Sequence, residues 1–74
     1  MKEIEENFKR WKENNELIYV DMMKQKKGRQ RLYGRLLDYD VKKQFIQVYN
    51  DDEKSVYNFS FEEVDDIGST KRYN

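Results

Sequence analysis

Apolar side chains recur along the chain with two different periods, and the change between them divides it. Over residues 3–14, "EIEENFKRWKEN", Ile4, Phe8 and Trp11 fall at i, i+4 and i+7, the spacing of one stripe on an α-helix. Glu3, Glu5 and Glu6 lie toward its start and Lys9, Arg10 and Lys12 toward its end, the order that complements the helix dipole. Asn14-Asn15 supplies a stop, because Asn tolerates the left-handed backbone of helix C-termini. From residue 16 the period becomes two. "LIYVDMM" (17–23), "RLYGRLLDYD" (31–40), "QFIQVYN" (44–50) and "SVYNFSF" (55–61) read as strands, and "EEVDDI" (62–67) as a tight turn running into a short last strand.

Ile46 and Val48 share one face of their strand, and Tyr57, Phe59 and Phe61 share one face of the next. The pattern predicts an α+β, mainly β fold. An N-terminal amphipathic helix is followed by a strongly bent sheet of four or five antiparallel strands, or by a small SH3- or Sm-like barrel. One domain covers 1–74, with the helix at 3–14, the barrel-like region at 16–67 and a flexible tail at 68–74. Gly34, alone inside a strand pattern, marks a bulge or a sharp bend approached by another backbone.

Composition sharpens this. Only 36% of the 74 residues are apolar and 41% are charged, which leans toward disorder unless the apolar residues are large. Six Tyr, four Phe and one Trp are large. With no Cys and no His, disulfides, thiolate zinc sites and the commonest general base are excluded. No motif sets a nucleophile beside a base, so no catalytic residue, metal site or cofactor is expected. No apolar run is long enough to span a bilayer, which places the chain in the cytoplasm, away from membranes.

The fifteen basic and fifteen acidic residues cancel, yet they are unevenly spread. Lys24, Lys26, Lys27, Arg29, Arg31 and Arg35 crowd residues 24–35 with no acid among them. Asp51, Asp52, Glu53, Glu62, Glu63, Asp65 and Asp66 crowd residues 51–66 against Lys54 alone. The chain reads as a two-pole molecule, a basic hairpin and an acidic far end. A three-residue loop at Lys27-Gly28-Arg29, with Gly28 left-handed, keeps like charges at the tip apart. It sets Asp21 opposite Arg35, Val20 opposite Leu36 and Met22 opposite Gly34.

The stretch "YGRLLDYDVKKQFIQVYNDDEKSVYNFSFEEVDDI" resembles the YolD-like family of small Gram-positive bacterial and phage proteins. The resemblance rests on Gly34, Leu36, Leu37, Tyr39-Asp40, Lys42-Lys43, Ile46, Val48, Phe59 or Phe61, Val64 and Ile67. It implies a small Sm- or SH3-like barrel; the family has no established catalytic residues and a frequent gene association with error-prone DNA polymerases and mobile elements. The N-terminal helix departs from the family's longer, proline-containing leader. Gly34 to Asp40 is also similar to Sm-type RNA proteins. However, the region that should carry their basic residue–Gly pair reads "DDIGS" here, the wrong charge for a phosphate-lined pore.

The expected function is a non-enzymatic protein-interaction module, an accessory or regulatory factor with a protein partner held through its charged surfaces. The alternative is a nucleic-acid binder using the basic hairpin with Tyr33, Tyr49 and Tyr57 as stacking platforms. A homo-oligomer joined through complementary charged ends is a further expectation, as is an acidic end that mimics nucleic acid.

Overall fold

Helix and sheet form where the two periods place them. A computed structural model describes residues 2–24 and 28–70. Helix α1 (Lys2–Glu13) is followed by β1 (Leu17–Lys24), β2 (Gly28–Asp40), β3 (Phe45–Asn50), β4 (Ser55–Ser60), a 3-10 turn (Phe61–Glu63) and β5 (Val64–Ser69). Asn15 stops the helix with φ 53°. Asn15 N donates to Lys12 O at 3.3 Å and Glu16 N to Trp11 O at 3.0 Å, the paired bonds of a Schellman end. The 41–44 and 51–54 turns share one device. Asp40 Oδ1 accepts from Lys43 N at 3.0 Å and Asn50 Oδ1 from Glu53 N at 2.7 Å. Each turn then closes on a left-handed residue, Gln44 (φ 58°) and Lys54 (φ 53°).

All five strands join one antiparallel sheet in the order β4-β3-β2-β1-β5. The sheet is open: β4 and β5 are its two edges, so the expected bent sheet forms and the closed barrel does not. The bend lies in β2. Its thirteen residues serve two partners in succession. Up to Arg35 the strand pairs with β1, and from Arg35 onward with β3. At the pivot, a Cβ on Gly34 would run into the Tyr49 carbonyl oxygen and come within 2.6 Å of Val48 Cγ1.

Three residues on, the ladder skips Leu37: Leu36 pairs Val48, and Asp38 pairs Gln47. Without that bulge, strict alternation after Leu36 would turn Asp38 and Asp40 inward. With it, Tyr39 turns inward opposite Ile46, and Asp38 reaches Lys12 Nζ on the helix at 3.3 Å. A bulge changes which residues face the core as well as the strand's direction.

Phe8, Trp11, Ile18, Val20, Leu36, Ile46, Val48 and Phe59 form the buried core. Phe8 is its hub, with ring centroids 5.8 Å from Trp11, 5.4 Å from Tyr39 and 5.9 Å from Phe61. The helix therefore closes one mouth of the bent sheet.

Two expectations are corrected. The β1–β2 register slides by four: Asp21 faces Arg31, Val20 faces Leu32, Met22 faces Gln30 and Lys24 faces Gly28. Gly28 is left-handed as expected (φ 71°), but as the first residue of β2. An even slide leaves every side chain on its expected face. In this register β1 pairing ends where β2 bends away, so β1 need not bend with it. Residues 68–70, placed in the tail by the sequence, pair with β1 instead. Gly68 and Ser69 belong to β5 and Thr70 N donates to Leu17 O at 3.0 Å; residues 71–74 lie outside the described residues.

Gly34→Ala should lower stability by about 1–3 kcal/mol, the cost of overpacking. Carbonyl and side chain crowd its Cβ position together, so neither can simply swing away. Urea denaturation measures the loss, and a midpoint equal to that of the parent protein would contradict the close approach.

Candidate functional site

Alternation along β2 puts Arg29, Arg31, Tyr33 and Arg35 on one face, the side of the sheet away from the core. Alternation along β1 adds Leu17, Tyr19 and Asp21. Arg31 grips Asp21 with two parallel bonds, Nε to Oδ1 at 2.6 Å and Nη2 to Oδ2 at 2.9 Å. This fork-on-carboxylate geometry is the strongest form of charge-assisted hydrogen bond. The Asp21 side chain is 3% exposed while Arg31 remains 47% exposed, so the arginine roofs the carboxylate. Its guanidinium carbon lies 4.3 Å from the centroid of the Tyr19 ring, within cation–π range. Tyr19 Oη donates in turn to Asp66 Oδ2 at 3.2 Å. The Tyr19 ring reaches Asp66 across Gly68, where a Cβ would come within 2.8 Å of the phenol oxygen.

This chain sets the local ionisation. The hydrogen bond from Arg31 holds the Asp21 carboxyl below the usual range, with partial desolvation opposing it. Asp21 pushes the Arg31 guanidinium further up, and the Tyr33 hydroxyl adds to it. Accepting the Tyr19 hydroxyl, Asp66 raises that phenol. The other arginines are matched too. Arg29 lies 3.9 Å from Asp65 and Arg35 3.3 Å from Asp51. Arg35 Nη1 also donates to Asn15 O at 2.5 Å.

Among the described residues, the two groups of charge do not stand apart. β5 lies beside β1 and the 51–54 turn lies beside Arg35, so acids from the far end of the sequence interleave with the basic strand. Asp51, Asp65 and Asp66 belong to this face. Glu53 and Glu63 do not: Glu53 accepts from Tyr57 Oη at 2.5 Å, and Glu63 from Ser60 N and Oγ at 3.1 Å each. Asp52 and Glu62 are exposed. Lys26 and Lys27, and the side chain of Lys24, lie outside the described residues.

The three tyrosines do not make one platform. Tyr33 is 49% exposed on the outer face, and Tyr49 lies on the same side opposite Arg35. Tyr57 faces the core side and stacks on Phe59, centroids 6.1 Å apart and planes 6° from parallel. A shallow cleft of about 370 Å³ is lined by Leu17, Tyr33, Gly34, Arg35, Asp51 and Asp52. Leu17, 41% exposed, is its aliphatic wall.

Four contributors escaped the sequence reading: Leu17, Tyr19, Asp21 as the partner of Arg31, and Asn50. Asn50 is buried and donates from Nδ2 to Tyr33 O at 2.9 Å, which ties the 51–54 turn to β2. Asp21 did carry a signal, as a lone acid in the outer phase of an apolar strand. No family model matches the chain, and no curated protein or solved structure matches it either. Among the described residues, no group of three or more acidic side chains is arranged to hold a metal ion. The face offers exposed aromatic and aliphatic surface inside a balanced set of charges.

The Asp21–Arg31 pair should show in the pH dependence of stability. A carboxyl whose folded-state pKa is depressed contributes fully above its unfolded value, 3.8, and loses that contribution as pH falls through the lower folded value. Asp21→Asn should flatten this acid limb and lower the urea midpoint at neutral pH, because a buried amide replaces the ion pair. Urea melts of both proteins between about pH 2 and pH 6 measure it, and parallel curves would contradict the pairing.

Proposed function

We propose that this protein is a non-enzymatic interaction module that binds a protein partner through the outer face of β1 and β2. In this reading it is a cytoplasmic accessory or regulatory factor of bacterial or phage origin, beside the YolD-like proteins that its Tyr33–Ile67 stretch resembles. The observation that carries the reading is charge matching. Arg29, Arg31 and Arg35 each sit against a carboxylate, while Tyr33 and Leu17 stand exposed between them.

A polyanion would have to break those pairs or bind against the carboxylates beside them, since phosphate binding draws on cations free to replace counterions. A protein surface needs neither. Exposed aromatics framed by ordered arginines are the usual anchors of protein–protein contacts, and the fixed charges orient the partner. Within one molecule, the same pairs already answer the three described arginines of the hairpin. No helix among the described residues is long and apolar enough to cross a membrane.

Affinity capture from the native host tests the proposal. Wild type should retain a protein that the Tyr33→Asp and Leu17→Asp variants lose, with their urea midpoints near wild type because both side chains are exposed. Short DNA and RNA should not bind even at about 50 mM salt, where phosphate contacts are strong. Binding of either at that salt, abolished by Arg29→Glu, would replace the protein-partner reading with the nucleic-acid one.

A further inference from the structure

The open sheet leaves two edges, and they are not alike. Phe61 N donates to Gln44 O at 2.9 Å, directly across the β3–β4 ladder. Alternation from that bond turns the N–H and C=O groups of Ser55, Tyr57 and Phe59 toward β3 and those of Val56, Asn58 and Ser60 outward. Ser60 N is taken by Glu63 Oε1. Val56 and Asn58 present their backbone groups along a strand with a neighbour on one side only. On β5, Thr70 N donates to Leu17 O at 3.0 Å, so Ile67 faces outward. There Asp66 Oδ1 accepts the Ile67 N–H at 2.9 Å. The β5 edge is blunted by its own side chain, and the β4 edge is open between Val56 and Asn58.

A groove of about 500 Å³ runs along that open edge, between β4 and the distal half of the β1–β2 hairpin. Met22, Leu32, Tyr57 and Phe59 give it apolar walls. Glu53 and Glu63, at its rim, stand just before and just after β4 in the chain. The one cation of its lining, Arg31, is already answered by Asp21.

From these features we infer that the β4 edge accepts an extended segment of a partner protein as a sixth strand. That segment has two apolar residues at i and i+2 facing the groove and a Lys or Arg two residues beyond each. Backbone pairing to Val56 and Asn58 supplies register, and the groove supplies side-chain selection, as in strand addition generally. A second copy fits poorly. The blunted β5 edge carries Asp65 and Asp66, and β4 is bracketed by Glu53 and Glu63, so either edge of another molecule would bring like charge. This inference rests on the reading of the chain as a protein-interaction module and adds a second surface with its own recognition chemistry.

The probe is the peptide Lys-Thr-Ile-Thr-Ile-Thr-Lys, titrated into isotope-labelled protein and followed by amide chemical shifts. The expected result is saturable change at Val56, Tyr57, Asn58 and Leu32. Affinity should drop about ten-fold or more when the peptide's edge-facing amides are N-methylated, since each methyl removes a backbone bond. The version with Glu at both ends should not bind, and Glu53→Lys should weaken the Lys peptide. Asn58→Pro should lose binding without losing the fold, because proline is tolerated on an edge strand whose N–H faces outward.

Equal affinity for the methylated peptide overturns the inference, as do shifts confined to Leu17 and Tyr33. Concentration-dependent β4 shifts with no peptide present also overturn it, since they mark a second copy as the occupant. If the peptide fails while host capture still depends on Tyr33, the edge site falls and the outer-face reading stands. If the peptide binds and capture ignores Tyr33, the reverse holds.

Discussion

Strand β2 changes partner part-way along its length, and most of this structure follows from how it bends to do so. Gly34 removes the one side chain that would block the approach of β3. The skipped Leu37 resets the alternation so that Tyr39, and not Asp38, enters the core. One half of β2 then serves β1 and the other half serves β3, which wraps the sheet around Phe8 and leaves α1 to cover a mouth. Because the wrap stops short of closure, β4 and β5 remain as edges with a groove beside one of them. The surface chemistry thus descends from two backbone decisions within four residues.

Bending also explains why a chain that segregates its charges in sequence mixes them in space. Strand β5 returns to lie beside β1, bringing Asp65 and Asp66 to the basic strand, while the 51–54 turn brings Asp51 to Arg35. The ion pairs at the rim are exposed and individually weak. The Asp21–Arg31 fork differs, because one partner is buried and the other is held over an aromatic ring. It fixes the guanidinium in place, and with it the geometry of the outer face around Tyr33.

Much of this was legible from residue spacing. The helix stripe, its stop at Asn15 and the facing of β3 and β4 follow from period and residue chemistry, and all stand. What was not legible required knowing which strands become neighbours. The hairpin register was judged from repulsion among cations at the tip, whereas the folded register ends at the bend in β2 and serves a buried carboxylate. Segregated charge in sequence suggested poles, but pole separation depends on strand order, which pairs the last strand with the first. The bulge at Leu37 leaves a trace only in retrospect, as two acids placed where simple alternation would bury them. Asn50 reads in sequence as the last residue of a strand, and only the fold shows its amide tied to the Tyr33 carbonyl.

The pairing of β1 with β5 has a kinetic side as well. The β1–β2, β2–β3 and β3–β4 contacts are hairpins, closed by short loops and cheap in chain entropy. Tyr19 and Asp66, by contrast, meet across 47 positions of sequence, and the entropy of closing a loop rises with its length. β5 therefore bears the largest closure cost of any strand in the sheet. Chain entropy thus favours forming the contacts of β5 with β1 after the meander of β1 to β4. The Tyr19–Asp66 bond, the Gly68 notch beneath the Tyr19 ring and the Thr70 bond to Leu17 are the latch that holds this last strand in place.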